Sequence, residues 1–177
     1  PVLPLVVTRS LYFPFITGKN FAFRILIEGL AAVWVWAALR YPRFRPRVSA
    51  VAWAIIAFTL VLGAATVFAL SPYRSFWSNF ELMEGYATIL HLLLYFLILG
   101  SVLSTERDWK YFFHTSLGVS ILISFYGLMQ FLGKYEIHQG GTRVDGTLGN
   151  ATYLAAYLLF HLFFLILAFI FCAAHFL

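Results

Sequence analysis

The sequence predicts an all-α membrane protein, a polytopic bundle of transmembrane helices. Of its 177 residues, 62% are hydrophobic and only 11% are charged, which is too few charges to solvate a water-soluble surface. Long apolar stretches are the second indication, because a helix needs about 20 apolar residues to cross a hydrocarbon core about 30 Å thick. Lipid cannot satisfy backbone hydrogen bonds, so these stretches must be helical.

Five such stretches follow one another along the chain, and together they predict one membrane domain with about five complete transmembrane helices: Phe21–Arg40, Val48–Leu70, Tyr86–Ser104, Tyr111–Leu132 and Leu148–Leu177. Runs such as Ile55–Phe68 are apolar on all sides, whereas helices of soluble proteins are apolar on one side only. The chain begins and ends in apolar sequence, which predicts that residues 1–177 are a fragment of a longer membrane protein.

Basic residues predict the orientation of these spans. Four arginines crowd the short link between the first two spans, and such links favour the cytoplasmic side: Arg40, Arg43, Arg45 and Arg47. Alternation then places the link Thr105–Lys110 in the cytoplasm and the links Thr8–Asn20, Ser71–Gly85 and Gly133–Thr147 outside. The net charge of +5 is interpreted as an affinity for anionic lipid headgroups, since no basic module of a nucleic-acid-binding kind is present.

The outer links are rich in aromatic residues such as Tyr73 and Trp77. Their ordinary interpretation is an aromatic belt at the membrane interface, and the alternative is the floor of a groove for an isoprenoid tail.

Polar residues inside apolar spans are the first candidates for function. Arg24 and Glu28 lie four residues apart on one helix face, which predicts either an ion pair between them or a functional cation at the outer end of the bundle. His91 is interpreted as a hydrogen-bonded histidine of the bundle, with a proton carrier as the alternative. The five histidines form no metal-binding pattern, and no motif for a nucleotide cofactor occurs, so neither metal nor cofactor is predicted.

The fourth span carries a stripe of small residues that predicts a helix-packing face: Ser116, Ser120, Ser124 and Gly127. Gln130 follows this stripe near the outer end of the span, where an amide can bind either protein or ligand.

The densest polar cluster is Gly140–Ala155, immediately before the last span. Its glycines permit close backbone approach, and Asn150 is a good N-cap for the following helix. Helix-start amides favour an anion, and Arg143 offers a bidentate partner for phosphate. Two interpretations remain open at this point: an outward-facing anion site, or a glycine-rich turn with a contact between Arg143 and Asp145.

Three segments resemble motifs of the bacterial O-antigen ligase and O-antigen polymerase family. The segment R-V-D-G-T-L-G-N-A-T-Y-L-A, from Arg143 to Ala155, is similar to the family pattern R-x-x-G-T-x-G-N-P-N-x-x-A. A second segment, Ser75–Gly85, is similar to another family pattern: it reads S-F-W-S-N-F-E-L-M-E-G, and the pattern is S-x-W-x-x-x-E-R-x-E-G. A third segment, Tyr12–Arg24, reads Y-F-P-F-I-T-G-K-N-F-A-F-R and resembles the start of the sequence in a subset of family members. The chain departs from these patterns at Ala151-Thr152, where the family has Pro-Asn, and at Leu82, where it has Arg.

The resemblance implies a GT-C-type glycosyltransferase fold in the bacterial cytoplasmic (inner) membrane. Members transfer or polymerise glycans from a polyprenyl-diphosphate carrier at the outer face, as in lipopolysaccharide biosynthesis, without a nucleotide-sugar. It implies donor diphosphate binding by Arg143, with Gly149 and Asn150 following in the motif, and with Arg74 and Arg24 as supporting cations. The family's catalytic histidine belongs to a large outer loop that this sequence does not reach, so the catalytic residue is not assigned.

The sequence also permits a membrane transporter or flippase for an anionic or lipid-linked substrate, because intramembrane charges alone do not separate these classes. A structural membrane subunit, whose polar clusters only pack, is a third possibility. The sugar and the glycan acceptor are not readable from the sequence.

Overall fold

A computed structural model of the chain describes residues 1–8, 10–79, 83–138 and 141–174, the last four of these in their backbone only. All regular elements among them are helical: α1 (Thr17–Arg40), α2 (Ala50–Val67), α3 (Pro72–Trp77), α4 (Tyr86–Val102), α5 (Glu106–Phe131) and α6 (Ala151–Ala174). The described chain also contains three short 3-10 turns: Leu3–Leu5, Pro42–Phe44 and Gly146–Leu148. The predicted all-α polytopic architecture is confirmed.

Four helices, α1, α2, α5 and α6, are long and apolar enough to cross a membrane. The third predicted span, Tyr86–Ser104, corresponds to the shorter apolar helix α4, which has 17 residues. At 1.5 Å per residue it is about 26 Å long, which is slightly less than the thickness of a typical hydrocarbon core.

The predicted starts of two spans are wrong for the same reason. Each helix begins with a polar turn that the sequence predicts as part of a link. Helix α1 begins at Thr17 instead of Phe21, and α5 begins at Glu106 instead of Tyr111. In α5 the extra turn is stabilised by an ion pair of 2.8 Å between Glu106 and Lys110, four residues apart on the helix. The residues predicted as a cytoplasmic link therefore form the start of this helix.

The other predicted spans differ at their ends. The second span is shorter than Val48–Leu70, because Ser49 caps the helix by accepting a hydrogen bond from the Ala52 amide. The last helix begins after the 3-10 turn that contains Leu148. The end of the predicted span Leu148–Leu177, Phe80–Leu82 of the second motif and Gly140 of the glycine-rich cluster lie outside the described residues.

The chain divides into two compact units, each described by itself. The first unit comprises Pro1–Ser10 and Glu106–Leu177, and the second comprises Leu11–Thr105. The prediction of a single membrane domain stays a prediction.

The core of the first unit lies between α5 and α6. Val119, Ile123 and Leu154 are buried there, and Leu5 of the N-terminal segment packs against them. The small-residue stripe of α5 faces this region: Ser120 and Gly127 are buried, and Ser116 bonds to His161 of α6. Ser120 and Ser124 also line an open groove of about 570 Å³ between the two helices. The predicted packing face is thus confirmed at Ser116, Ser120 and Gly127, whereas Ser124 is exposed.

In the second unit α4 packs against both α1 and α2. The short helix α3 is held by Gly85, the residue that precedes α4. A Cβ atom at this glycine would lie 2.7 Å from both the Phe76 carbonyl carbon and the Ser78 amide nitrogen, and would overlap the Phe76 carbonyl oxygen. The family-like motif therefore ends in a glycine because the backbone of α3 needs its space.

Replacing Gly85 by alanine is expected to destabilise the protein by about 2–3 kcal/mol, because the contacts are with backbone atoms that cannot rotate away. Thermal unfolding in detergent micelles measures the change. Gly100→Ala on the same helix is the matched control, since a Cβ atom there meets nothing within 4 Å. It should leave the melting temperature unchanged or raise it. Equal melting temperatures for the Gly85 variant and the wild type would contradict this account of the motif.

Candidate functional site

The connection between α5 and α6 in the first unit contains the predicted site. Helix α5 ends at a glycine cap: Gly133 has φ +70°, and its amide donates to the Gln130 carbonyl over 3.0 Å. The next amide, that of Lys134, donates to the Met129 carbonyl over 2.9 Å. This left-handed cap ends the helix and turns the chain towards the glycine-rich cluster.

A buried side-chain pair fixes this loop. Gln130 and Asp145 have only 3% and 1% of their surface exposed, and the Gln130 Nε2 donates to Asp145 Oδ1 over 2.6 Å. The same amide group donates to the Glu136 carbonyl and accepts from the Gly146 amide, both over 2.8 Å. Because both ends of the glutamine amide are bonded to the protein, Gln130 has a structural role. The alternative of a ligand-binding Gln130 is not supported.

His138 is the second group that Asp145 holds. The His138 backbone amide donates to Asp145 Oδ2 over 2.8 Å, and its ring Nδ1 lies 3.5 Å from Oδ1. Both carboxylate oxygens of Asp145 are thus directed at the loop itself. A buried carboxylate needs such compensation, because losing its hydration is costly.

Arg143 does not bind Asp145, so the contact that belongs to one of the two open interpretations, the glycine-rich turn, does not form. Its side chain is exposed and makes no hydrogen bond or ion pair with any described residue. The loop thus presents a guanidinium group that the described part of the protein does not neutralise. Of the two interpretations left open by the sequence, this arrangement favours the anion site.

Gly149 and Asn150 shape the start of α6. Gly149 has φ +68°, a left-handed conformation that favours glycine, and its amide donates to the Asp145 carbonyl over 3.1 Å. Asn150 is the predicted N-cap: its Oδ1 accepts from the amides of Thr152 over 2.8 Å and Tyr153 over 3.4 Å. These three amides are therefore occupied by the protein. At this end of the loop the group that is free to bind an anion is therefore Arg143, whereas these amides are not available.

Arg24 lies in the second unit, on α1, and has 8% of its surface exposed. Its Nη2 donates to the Met83 carbonyl over 3.0 Å and to the Thr88 hydroxyl over 2.7 Å, whereas its Nε is buried without a hydrogen-bond partner. The expected ion pair with Glu28 does not form. That Arg24 binds the diphosphate of the glycan donor stays a prediction, but one of its two terminal nitrogens already donates hydrogen bonds to the protein.

The segment that Arg24 holds has an unusual backbone. Ser78 and Met83 have φ values of +65° and +53°, a region that non-glycine residues seldom adopt. Arg74 precedes this segment on α3, where its side chain is exposed and has no hydrogen bond or ion pair within the described chain. The structure thus places Arg74 and Arg24 in one unit, and Arg143, Gly149 and Asn150 in the other.

Two histidines join helices. His91 Nε2 lies 3.1 Å from Glu28 Oε1, which links α4 to α1, and His161 Nε2 lies 2.9 Å from the Ser116 hydroxyl, which links α6 to α5. Among the described residues no cluster of three or more His, Cys, Asp or Glu side chains offers a metal site.

Sequence reasoning missed these partners, although it had identified the residues themselves as exceptional. Each of Gln130, Glu28 and His91 is a polar residue in an apolar span, which signals a need for a partner. The identity of the partner depends on which helices are neighbours, and the sequence does not state this.

The fold and the site together define a multi-pass helical membrane protein with an exposed arginine that no described residue neutralises, on a loop bonded to Gln130 and Asp145. No family model, curated protein or solved structure matches the chain.

Proposed function

We propose that this protein transfers or polymerises glycans from a polyprenyl-diphosphate-linked donor, in the manner of the O-antigen ligase and polymerase family. The observation that carries the proposal is Arg143, an exposed guanidinium with no partner among the described residues, at the position of the family's motif arginine. Its planar fork of donors suits the oxygens of a diphosphate.

The hydrogen bonds around Asp145 support this role. A cation stabilises a departing anion best when it is held in place beforehand, because no energy is then spent on moving it during the reaction. Gln130 and Asp145 fix the backbone on both sides of the loop, and Asp145 stands two residues after Arg143. The negative charge of Asp145 is bonded within the loop and does not neutralise the arginine.

The groove between α5 and α6 supports a lipid-linked donor. It begins at Ala155, one helical turn after the Asn150 cap, and continues along α6 to Leu165. Apart from Ser120, Ser124 and His161, its lining is apolar, which suits an isoprenoid chain.

In the proposed reaction a hydroxyl oxygen of the acceptor attacks the anomeric carbon of the donor sugar. The bond from that carbon to the diphosphate oxygen breaks, its electron pair leaves with the polyprenyl diphosphate, and the acceptor hydroxyl releases its proton to water. Negative charge on the diphosphate grows during this step, and the fixed guanidinium of Arg143 stabilises it.

A reconstituted assay tests the proposal. Proteoliposomes that contain the full-length protein are supplied with a polyprenyl-diphosphate-linked oligosaccharide and candidate acceptors: lipid A core, a protein or a second glycan. Transfer should release polyprenyl diphosphate and lengthen one acceptor without any nucleotide-sugar. Movement of the intact donor across the bilayer without release would instead indicate a flippase and contradict the proposal.

A further inference from the structure

Two side-chain contacts join α1 to α4 inside the second unit. Arg24 bonds to Thr88 over 2.7 Å, and one helical turn further on Glu28 meets His91 at 3.1 Å. We call these four residues the polar seam. It lies within apolar helices, so each of its hydrogen bonds replaces contacts that water would make elsewhere.

The hydrogen on His91 Nδ1 is fixed by its other contact. Nδ1 lies 2.7 Å from the backbone carbonyl oxygen of Ala87, one turn earlier on α4. A carbonyl oxygen accepts hydrogen bonds and never donates them, so Nδ1 must carry a hydrogen. In a neutral imidazole this leaves Nε2 as a bare acceptor.

Nε2 nevertheless faces a second acceptor, the carboxylate oxygen Glu28 Oε1, at 3.1 Å. Two lone pairs at this distance repel each other, whereas one hydrogen between them makes a hydrogen bond. We propose that Glu28 and His91 form a proton-binding site. The pair holds one additional proton, beyond those of a neutral histidine and an ionised glutamate. The pair contains this proton whether it is written as imidazolium and carboxylate or as imidazole and carboxylic acid.

His161 provides an internal comparison, because its Nδ1 has the same kind of partner as that of His91, whereas its Nε2 has a different one. Its Nδ1 also lies 2.7 Å from the carbonyl one turn earlier, that of Tyr157. Its Nε2 meets the hydroxyl of Ser116 at 2.9 Å, and a hydroxyl group can donate. The neutral histidine is therefore satisfied at position 161, and no additional proton is needed there.

The pair lies where an ionised carboxylate without a partner would be costly, so a bound proton lowers the free energy of the folded protein. Glu28 lies about halfway along α1, where an ionised carboxylate facing lipid is costly, and 66% of its side chain is exposed, compared with 15% for His91. A bound proton either neutralises the carboxylate or provides it with a positive partner. In both cases the cost is reduced at the contact between the two helices.

The other titratable groups around the pair are few. Arg24 lies one turn before Glu28, and Tyr95 lies one turn after His91. Helix α2, which packs on α4, has no titratable residue, α3 contributes Tyr73 and Arg74, and the turn Pro42–Phe44 contributes Arg43 near the far end of α1. No other carboxylate belongs to these elements, so Glu28 is the group that can share a proton with His91.

Nitrogen-15 NMR of histidine-labelled full-length protein in lipid nanodiscs, near neutral pH, tests the proposal. In the wild type His91 should show a hydrogen on Nδ1 and a second hydrogen bound to, or shared with, Nε2. His161 should show a hydrogen on Nδ1 alone. A wild-type His91 with a bare Nε2, indistinguishable from His161, would overturn the proposal.

Glu28→Gln supplies the matched variant. Its amide group donates a hydrogen of its own to His91 Nε2, so the contact is kept and the additional proton is no longer required. His91 should then give the same spectrum as His161. If this variant does not fold, Glu28→Ala serves instead, because it removes the acceptor that faces Nε2, and His91 should then show a hydrogen on Nδ1 alone.

Discussion

Replacing Arg143 by alanine should lower the rate of glycan transfer about 100-fold, while the protein still inserts into membranes and keeps its melting temperature. Hydrogen bonds to charged groups are worth about 1.5–3 kcal/mol each, and a bidentate grip on diphosphate that loses about 3 kcal/mol corresponds to this factor. Stability should not change, because Arg143 is exposed and bonds to no described residue. Initial rates with the lipid-linked donor in proteoliposomes measure the effect.

Two further variants separate geometry from charge. Arg143→Lys keeps the positive charge and loses the planar fork, so it should recover only part of the rate. Arg47→Ala removes another exposed arginine, one that bonds to no residue the structure describes, from the link predicted to be cytoplasmic. This variant should transfer glycan at the wild-type rate. An Arg143→Ala variant as fast as Arg47→Ala would exclude Arg143 from the reaction.

Replacing Asp145 by alanine should have the largest effect on stability, a loss of about 2–4 kcal/mol. The change leaves the His138 amide without its acceptor and removes one of the two acceptors of the Gln130 Nε2. Each buried donor that loses its partner costs about 1–3 kcal/mol. Chemical or thermal unfolding in micelles measures the loss. The rate of glycan transfer should also fall, because the backbone that carries Arg143 is then no longer fixed.

Glu136→Ala is the control for Asp145. It removes a carboxylate from the same loop, but the contact of Glu136 with Gln130 is made by its backbone carbonyl, which the substitution keeps. Its melting temperature should match the wild type. If both variants unfold at the wild-type temperature, the buried pair does not hold the loop.

The helical architecture was predictable because the bilayer leaves few alternatives. A long apolar run must be a helix, and each of the five predicted runs contains an α-helix among its described residues. Their ends were less predictable. The first turns of α1 and α5 contain polar residues such as Asn20 and Glu106, and hydrophobicity alone assigns such residues to links, although helical hydrogen bonds and the pair with Lys110 favour a helix there.

The candidate site was predictable where the determinants are local. The N-cap at Asn150 and the tight turn at Gly149 follow from residue type and position in the chain. The bond between Gln130 and Asp145 spans 15 residues and a reversal of the chain, so its partners were not readable. The i,i+4 rule failed at Arg24 and Glu28 because partners on a neighbouring helix compete with partners on the same one.

Equilibrium binding of the donor tests the central claim most directly, because it does not require the acceptor to be known. Native mass spectrometry of the full-length protein in nanodiscs can follow the binding of polyprenyl diphosphate to the wild type, Arg143→Ala and Arg47→Ala. We expect the wild type and Arg47→Ala to bind equally, and Arg143→Ala to bind at least about tenfold more weakly, the loss of about 1.4 kcal/mol. Equal affinity in all three proteins would contradict a diphosphate site at Arg143.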